Sequence, residues 1–346
     1  MSIEQVYLEM KRKLEKVVPD VELRIKAELV DEIRRLKVER NAVILGHNYM
    51  EPALYHTIPD FVGDSLYLSR QAAKTDKDVI VFCGVRFMAE TAKILNPGKT
   101  VLLPSMKAGC SLAASITAED VRQLKQRYPG VPVIAYVNTY ADVKAEVDVC
   151  CTSGNAVAVV ESFGTDTVIF LPDEYLASNV AKVTGKHIIF PTLDLPNGKA
   201  AESELDYQMV GWRGRCEVHE KFTVKDIHDI RAQFPEVLIL AHPECSPEVV
   251  AEADMSGSTS EMIKFIEKSA APQYLLLTEC SMGDNVAAAL PEKEMLRLCS
   301  VRCPHMNQIT LEDTLISLQK MQYQIDVPED IRVRAAKSVE RMITIG

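Results

Sequence analysis

Three stretches of the sequence repeat one pattern, and this repetition constrains the fold more than any other feature. Each stretch begins with a helical segment whose apolar residues recur at intervals of three or four, and continues into a short apolar strand that ends in polar residues. The helical segments begin at Ala27, Ala118 and Val224, and the strands end in GHNYM, YVNTY and AHPE. Short apolar runs are typical of strands buried on both faces of a parallel sheet, so the pattern predicts an α/β protein.

After each strand, a turn of small residues opens a second helix, a second buried strand follows, and a cysteine ends the stretch. The turns are Gly63–Ser65, Thr152–Gly154 and Gly257–Ser260, and the cysteines are Cys110, Cys216 and Cys303. Because Ser and Thr are common residues at helix N-caps, the turns predict three helix N-termini.

The interval from the strand-end residue to the cysteine is nearly constant. It is 63 residues in the first stretch and 61 in the third; in the second it is 80, or 62 when an 18-residue polar segment at 193–210 is left out. These intervals join His47 to Cys110, Tyr136 to Cys216 and His242 to Cys303. Ser65 and Ser258 both precede their cysteine by 45 residues, and Ser153 does so by 63, or by 45 without the segment.

The repeat therefore predicts three similar α/β/α domains with short parallel sheets, arranged about a pseudo-threefold axis. The expected parts are an N-terminal helical segment (1–23), three repeats (24–116, 117–221 and 222–308) and C-terminal helices (309–346), with 193–210 inserted in the second repeat as a surface loop. Ligands of such sheets bind at the carboxyl ends of the strands, so we expect one shared site at the centre.

Two helices are predicted in the C-terminal segment. Thr310 and Asp313 have the spacing of a capping box, and Pro328 suits a first helical turn. We expect both helices to pack on the third or the first repeat.

Charge and composition exclude several classes of protein. The chain has 39 Lys and Arg against 49 Asp and Glu, a net charge of −10, which disfavours a sequence-independent nucleic-acid binder. No apolar run approaches the roughly 18 residues that a membrane helix needs. The charged N-terminus lacks the apolar core of a signal peptide, so we expect a cytoplasmic protein. Its nine cysteines would then be reduced, and would serve as core residues, metal ligands or catalytic groups.

The cysteine spacing leaves two kinds of metal site open. A zinc site could take Cys216 and His219 with Cys299 and Cys303. An iron–sulfur cluster could instead be held by the three distant cysteines of the repeats, which would leave one iron open as a Lewis acid. The CxxxCxxC motif of radical-SAM-type clusters is excluded, because Cys299 and Cys303 would begin it but Met306 stands at the third cysteine position.

Several longer motifs make the chain similar to a known family. These are FVGDSLYLSRQA, GVRFMAETAKIL, KAGCSLA, YVNTYADVKAEVD, CEVHEKFT, HPECSPEVVAEAD with GSTSEM, and CPHMN. From about residue 25 onward, the chain resembles the quinolinate synthase family of de novo NAD biosynthesis.

The resemblance implies a condensing transferase that joins iminosuccinate to dihydroxyacetone phosphate, with loss of phosphate and two waters, to form quinolinate. It also implies an oxygen-sensitive [4Fe–4S] cluster on Cys110, Cys216 and Cys303, and functional coupling to an L-aspartate oxidase. Cys299 could compete with Cys303, although the following Pro-His-Met motif favours Cys303. Ile309 stands where the family commonly has Asn, which puts the role of that Asn in doubt here.

The resemblance assigns further residues by matching motif. Substrate binding falls to His47, Ser65, Tyr136, Asn138, Ser153, His242, Glu244, Ser258 and Thr259, and acid–base catalysis to Glu244, Tyr49, Tyr136 and His219. Helix N-termini at the serine-rich turns would supply positive potential for anionic substrates. Two alternatives remain: a zinc-dependent aldolase or lyase, and a non-enzymatic metal-binding redox sensor.

Overall fold

The computed structural model describes residues 2–191, 207–298 and 301–346 of the chain, and it contains three separate parallel β-sheets. Each sheet belongs to one of the three repeats and is flanked by helices, so the predicted class of three similar α/β/α units is confirmed.

The first unit has four strands in the spatial order β2-β1-β3-β4, all parallel. The strands are β1 (Ala42–His47), β2 (Phe61–Gly63), β3 (Val79–Cys83) and β4 (Thr100–Leu102). The helices are α1 (Ile3–Leu14), α2 (Asp20–Glu39), α3 (Pro52–Tyr55), α4 (Ser65–Lys74) and α5 (Arg86–Leu95). Every residue of β1 and β3 is buried, as their apolar runs predict. Helix α2 crosses the expected boundary at residue 23.

The second unit has five parallel strands in the order β6-β5-β7-β9-β8. The strands are β5 (Val133–Tyr136), β6 (Val149–Cys151), β7 (Val168–Leu171), β8 (Ile188–Ile189) and β9 (Met209–Gly211). The helices are α6 (Ala118–Arg127), α7 (Ala141–Lys144), α8 (Ala156–Glu161) and α9 (Glu174–Thr184).

The described end of the extra segment, residues 207–210, differs from the predicted surface loop. Residues 192–206 lie outside the described residues, but Met209 and Val210 are buried in β9. The reason is that this short apolar run pairs with Val168–Phe170 of β7, where it takes the place that β4 holds in the first unit. The added strand is β8, on the far side of β9.

The third unit repeats the first, with four parallel strands in the order β11-β10-β12-β13. The strands are β10 (Leu238–Ala241), β11 (Met255–Ser256), β12 (Gln273–Leu277) and β13 (Glu294–Leu296). The helices are α10 (Val224–Gln233), α11 (Pro247–Glu252), α12 (Thr259–Lys268) and α13 (Cys280–Ala289).

The C-terminal segment forms the two predicted helices, α14 (Leu311–Lys320) and α15 (Glu329–Thr344). The Thr310 hydroxyl accepts the Asp313 N–H at 3.0 Å, so Thr310 caps α14, although the reciprocal bond of the predicted capping box is not formed. Pro328 precedes α15 instead of lying in its first turn. Helix α14 packs on α2 and β3 of the first unit. Helix α15 packs on α5 of the first unit and on α7 and β6 of the second, so the expected packing on the third or first unit is wrong for this contact.

In each sheet, the first strand of the unit lies between the second and the third. The polar residues that follow these first strands therefore leave from the carboxyl edge near the middle of each sheet. Among the described residues, no helix combines the length and the apolar character needed to cross a bilayer.

Candidate functional site

A cavity lies between the three units and is lined by residues from all of them. Thirteen of the fourteen site residues predicted from the sequence line it, and Ser258 does not. The lining residues among them are His47, Tyr49, Ser65, Cys110, Tyr136, Asn138, Ser153, Cys216, His219, His242, Glu244, Thr259 and Cys303. His47 and Cys303, which are 256 positions apart in the sequence, thus line one cavity.

The strand ends bring the first group of polar residues into the cavity. His47 is the last residue of β1 and Tyr136 the last residue of β5, while His242 follows the last residue of β10. Tyr49, Asn138 and Glu244 each follow two residues later. The parallel sheets therefore present one pair of polar side chains from each unit.

The serine-rich turns lie at helix starts, but their caps differ from the prediction. Asp64, and not Ser65, caps α4 by accepting the Tyr67 N–H, and the residue before α8 is Asn155 instead of Ser153. Only Ser258 caps its helix as predicted, by accepting the Glu261 N–H. The N-cap of α4 thus lies one residue before Ser65, and that of α8 lies two residues after Ser153. The side chains of both serines line the cavity.

The three cysteine loops are built alike. Each cysteine is followed, three residues later, by a short 3₁₀ helix, and these helices are Ala113–Ser115, His219–Lys221 and Met306–Gln308. The Ala113 N–H donates to the Cys110 sulfur at 3.4 Å. In each loop burial raises the pKa of the cysteine, and the backbone N–H groups two and three residues later oppose this rise. Such N–H donors stabilise a thiolate and are a common feature of iron–sulfur ligation.

A signal that the sequence reasoning missed extends this repeat. A threonine stands seven residues after each cysteine and an aspartate three residues after the threonine. These threonines cap α6, α10 and α14, and they are Thr117, Thr223 and Thr310. Cys303 satisfies this spacing and Cys299, which lies outside the described residues, does not.

The position of Ile309 has a structural explanation in the same repeat. Ile309 is buried, as are Ile116 and Phe222, which stand at the same place six residues after their cysteines. An apolar side chain at this position therefore anchors the end of each cysteine loop in the core.

Glu244 is the electrostatic centre of the cavity. Its Oε2 atom lies 3.1 Å from Nδ1 of His219 and 3.1 Å from Nδ1 of His242, and the two imidazoles stack with their centroids 4.6 Å apart. Asn138 donates to the other carboxylate oxygen at 3.5 Å. Burial opposes ionisation of Glu244, but the two imidazoles outweigh it and hold the pKa of the carboxyl well below its usual range. We therefore assign Glu244 as a carboxylate.

The two tyrosines of the cavity are held in the protonated state. Burial raises the pKa of Tyr49 and of Tyr136 well above 10. The Tyr49 hydroxyl lies 2.5 Å from Oγ1 of Thr278 and 3.5 Å from Nε2 of His219, and Thr278 lies 2.9 Å from the same nitrogen. Thr278 was not predicted, although it directly follows β12 and so occupies a strand-end position of the third unit.

Burial favours the neutral forms of two histidines of the cavity. Burial lowers the pKa of His47 to about 4 and also lowers that of His219. Nδ1 of His47 accepts the Tyr49 N–H at 3.2 Å, which leaves its proton on Nε2 as a hydrogen-bond donor. Nε2 of His242 lies 3.2 Å from the Ser153 hydroxyl, so a residue of the third unit supports a serine of the second.

Two sets of side chains could hold a metal. One is the set of three loop cysteines, all on the cavity wall. The other comprises Cys216, His219 and Glu244, whose ligand atoms all lie within 4.8 Å of one another. In the zinc site expected from the sequence, Cys216 and His219 were instead joined by Cys299 and Cys303.

The cysteines themselves fit a cationic group. Burial raises the pKa of Cys110 to about 12 and that of Cys303 to about 11, and it raises the pKa of Cys216 well above its ordinary value. Without a bound cation, the three thiols are therefore protonated at neutral pH, and a metal centre that binds them would displace their protons. Three sulfurs with repeated N–H donors in one cavity are a donor set that suits an iron–sulfur cluster.

Comparison with known proteins gives a consistent result. The family model described as "Quinolinate synthetase A protein" matches residues 31–344. "Quinolinate synthase 2" of Mesorhizobium japonicum is 51% identical over 333 residues, which covers 96% of each chain. "Quinolinate synthase" of Caulobacter vibrioides is 49% identical over 95% of this chain and 84% of that protein. "Quinolinate synthase" of Agrobacterium fabrum is 50% identical over 95% of this chain and 89% of its own length.

Proposed function

Because this chain belongs to the quinolinate synthase family, we propose that it condenses iminosuccinate with dihydroxyacetone phosphate to give quinolinate, phosphate and two waters. The observation that carries the proposal is the convergence of three like-built cysteine loops on the cavity that also holds Glu244, His219 and Tyr49. The reaction needs a place for two anionic substrates and groups that move several protons, and the cavity offers both.

The proposal includes a [4Fe–4S] cluster held by Cys110, Cys216 and Cys303. Its support is the donor set: one sulfur from each unit, each beside two backbone N–H groups that favour its thiolate. When bound, the cluster supplies a Lewis-acidic iron that promotes loss of hydroxyl groups as water.

The serine turns and neutral histidines are proposed to bind the substrate anions. Ser65 and Ser153 offer hydroxyl donors on the cavity wall, and His47 offers its Nε2–H. Backbone N–H groups at the start of α4 add positive potential there. The carboxylate of Asp64, which also lines the cavity, opposes this potential, so the hydroxyl and imidazole donors carry most of the recognition.

The acid–base roles follow from the protonation states. Glu244 is ionised and can accept a proton at Oε2, which lies 3.1 Å from Nδ1 of His219 and 3.1 Å from Nδ1 of His242. Tyr49 is protonated and can donate from its hydroxyl, and Thr278 and His219 can return a proton to it. A well-placed group of this kind contributes about 10²–10⁴-fold to the rate. Tyr136 is protonated and lies on the same wall, where it can orient or protonate substrate.

The substrate implies a supplier. Iminosuccinate is an imine that water hydrolyses, so we propose functional coupling in the cytoplasm to an L-aspartate oxidase that generates it from aspartate.

The test is product formation by anaerobically prepared protein. Iminosuccinate generated in place and dihydroxyacetone phosphate are supplied together, and quinolinate and phosphate are quantified. We expect both products in equal amounts, and a loss of about 10²-fold or more in Glu244→Gln at unchanged metal content. Phosphate release without quinolinate, or full activity of Glu244→Gln, contradicts the proposal.

One observation favours a second candidate, a zinc-dependent aldolase or lyase. Cys216, His219 and Glu244 provide three mixed ligands at a spacing suited to a single ion, and three protein ligands with an open position are typical of catalytic zinc. A colourless protein that holds one zinc and cleaves dihydroxyacetone phosphate adducts without forming quinolinate would support this candidate.

A further inference from the structure

The three cysteine loops touch one another through side chains that directly neighbour the cysteines. Ser111 follows Cys110, Glu217 follows Cys216, and His305 lies two residues after Cys303. The Ser111 hydroxyl donates to Oε1 of Glu217 at 2.8 Å, and Nε2 of His305 lies 3.1 Å from the same oxygen. One carboxylate oxygen thus joins the loops of all three units.

This contact lies on the solvent side of the cavity. The side chains of Glu217 and His305 are 36% and 30% exposed, whereas those of Glu244 and His219 are 4% and 1% exposed. All four of these side chains line the same cavity. The cavity therefore has a buried polar floor at Glu244 and a partly exposed rim at Glu217.

The energetics of the rim suggest a local role. A partly exposed polar contact contributes little to the global free energy of unfolding, because water competes for both partners. The contact instead fixes the relative positions of the three loops. These positions set the size of the opening through which solvent reaches the cysteines. Groups that orient metal ligands from outside commonly change metal affinity by about 10–100-fold.

We propose that Glu217 is a positioning residue that ties the three cysteine loops together and slows loss of the metal centre they hold. The inference rests on the proposed function only in placing a metal centre on Cys110, Cys216 and Cys303. It assigns no proton transfer to Glu217.

The experiment compares Glu217→Ala, Glu217→Gln and Glu220→Ala with the wild-type protein after anaerobic reconstitution. Iron release to an excess of a chromogenic chelator is followed over time, together with the decay of the cluster absorbance in air. Glu220 is a matched control because it lies on the same loop and is exposed, and its replacement removes the same charge.

We expect Glu217→Ala to release iron about 10-fold faster than wild type, and Glu220→Ala to match wild type. Glu217→Gln keeps an oxygen acceptor for Ser111 and His305, so its release should be slower than that of Glu217→Ala. The thermal unfolding of the metal-free forms should agree among all four proteins, which separates loop positioning from a general loss of stability. Equal release rates in Glu217→Ala and Glu220→Ala would overturn the inference.

The outcome is separable from that of the proposed function. If the wild-type protein holds an iron–sulfur cluster and makes quinolinate while Glu217→Ala releases iron at the wild-type rate, only this inference fails. If it holds zinc, the proposed function fails. The role of Glu217 is then supported by faster zinc release from Glu217→Ala than from Glu220→Ala, and equal rates overturn it. A wild-type protein that retains neither metal overturns both.

Discussion

A buried lysine provides the sharpest test of how the fold positions the cavity residues. Lys144 is completely buried, and its ammonium donates to the carbonyl oxygen of Val137 at 2.8 Å and to that of Thr139. On the other side of this turn, the buried Glu90 of the first unit accepts the Ala141 N–H at 2.9 Å. Two buried charged side chains thus hold the segment that carries Asn138 into the cavity.

The substitution Lys144→Met keeps the length of the side chain and removes the donor. In this variant the Val137 carbonyl still accepts a hydrogen bond from the Thr139 N–H. The Thr139 carbonyl loses its hydrogen bond from the ammonium and becomes a buried acceptor without that donor. An unsatisfied buried group costs about 1–3 kcal/mol, and a hydrogen bond to a charged group contributes about 1.5–3 kcal/mol. Burial of the ammonium, which lowers the pKa of Lys144, offsets part of this loss. We expect a net destabilisation of about 2–3 kcal/mol.

The assay is urea unfolding of the metal-free protein, followed by the fluorescence of Trp212. Trp212 is the only tryptophan of the chain, and it lies directly after β9 in the same unit as Lys144. Lys182→Met is the control, because Lys182 is exposed on α9 and its loss should change stability by less than about 0.5 kcal/mol. An unfolding midpoint for Lys144→Met that equals the control would refute the reasoning.

The same variant tests the link from the turn to the cavity. Asn138 reaches Glu244 across 3.5 Å, so a looser turn should weaken that contact. At a temperature where Lys144→Met is folded, we expect KM to rise more than kcat falls. Unchanged kinetic constants in a destabilised variant would show that the turn does not depend on Lys144 for its position.

Three further predictions concern single groups of the cavity. The pKa of His47 is lowered to about 4 in the folded protein against roughly 6.5 when unfolded, so its protonation favours unfolding and stability is lost as pH falls from about 6.5 towards 4. His47→Gln should reduce this loss, as measured by urea midpoints at pH 7 and pH 5, and an equally steep loss would contradict the assignment. Tyr49→Phe removes the hydroxyl that bonds Thr278, and kcat should fall about 10²-fold or more at unchanged metal content; a fall of less than twofold would exclude Tyr49 as an acid. Exposure to air should abolish activity together with the cluster absorbance, and full activity in iron-free, aerated protein would oppose the proposed chemistry.

Much of the fold followed from spacing alone. The apolar runs at β1, β5 and β10 identified buried parallel strands, because such strands cannot alternate polar and apolar residues. Ligands of parallel α/β sheets bind at the carboxyl ends of the strands, so the polar residues that follow the first strand of each unit were expected to share a central site. The matched intervals to Cys110, Cys216 and Cys303 then selected the cysteines of that site.

The errors arose where several residues could satisfy the same backbone requirement. Asp64 and Ser65 can both cap a helix, and only the backbone conformation decides that Asp64 does so in α4. The segment 193–210 was treated as one polar insertion, but its last residues carry a short apolar run that completes a sheet.

Contacts between different units could not be predicted from the sequence. Thr278 meets Tyr49 across 229 positions and Glu217 meets Ser111 across 106. Neither pair has a local pattern, because each depends on how separately folded units meet. The recurring threonine seven residues after each cysteine was present in the sequence and could have been found by aligning the three loops.

The central claim is that one cysteine from each unit holds an iron–sulfur cluster in the shared cavity. The most direct measurement is the iron and acid-labile sulfide content of the anaerobically purified wild-type protein, compared with Cys110→Ala, Cys216→Ala and Cys303→Ala. We expect about four irons and four sulfides per wild-type chain and no stable cluster in any of the three variants. One zinc per chain without sulfide, or a wild-type iron content in the Cys303→Ala variant, would contradict the claim.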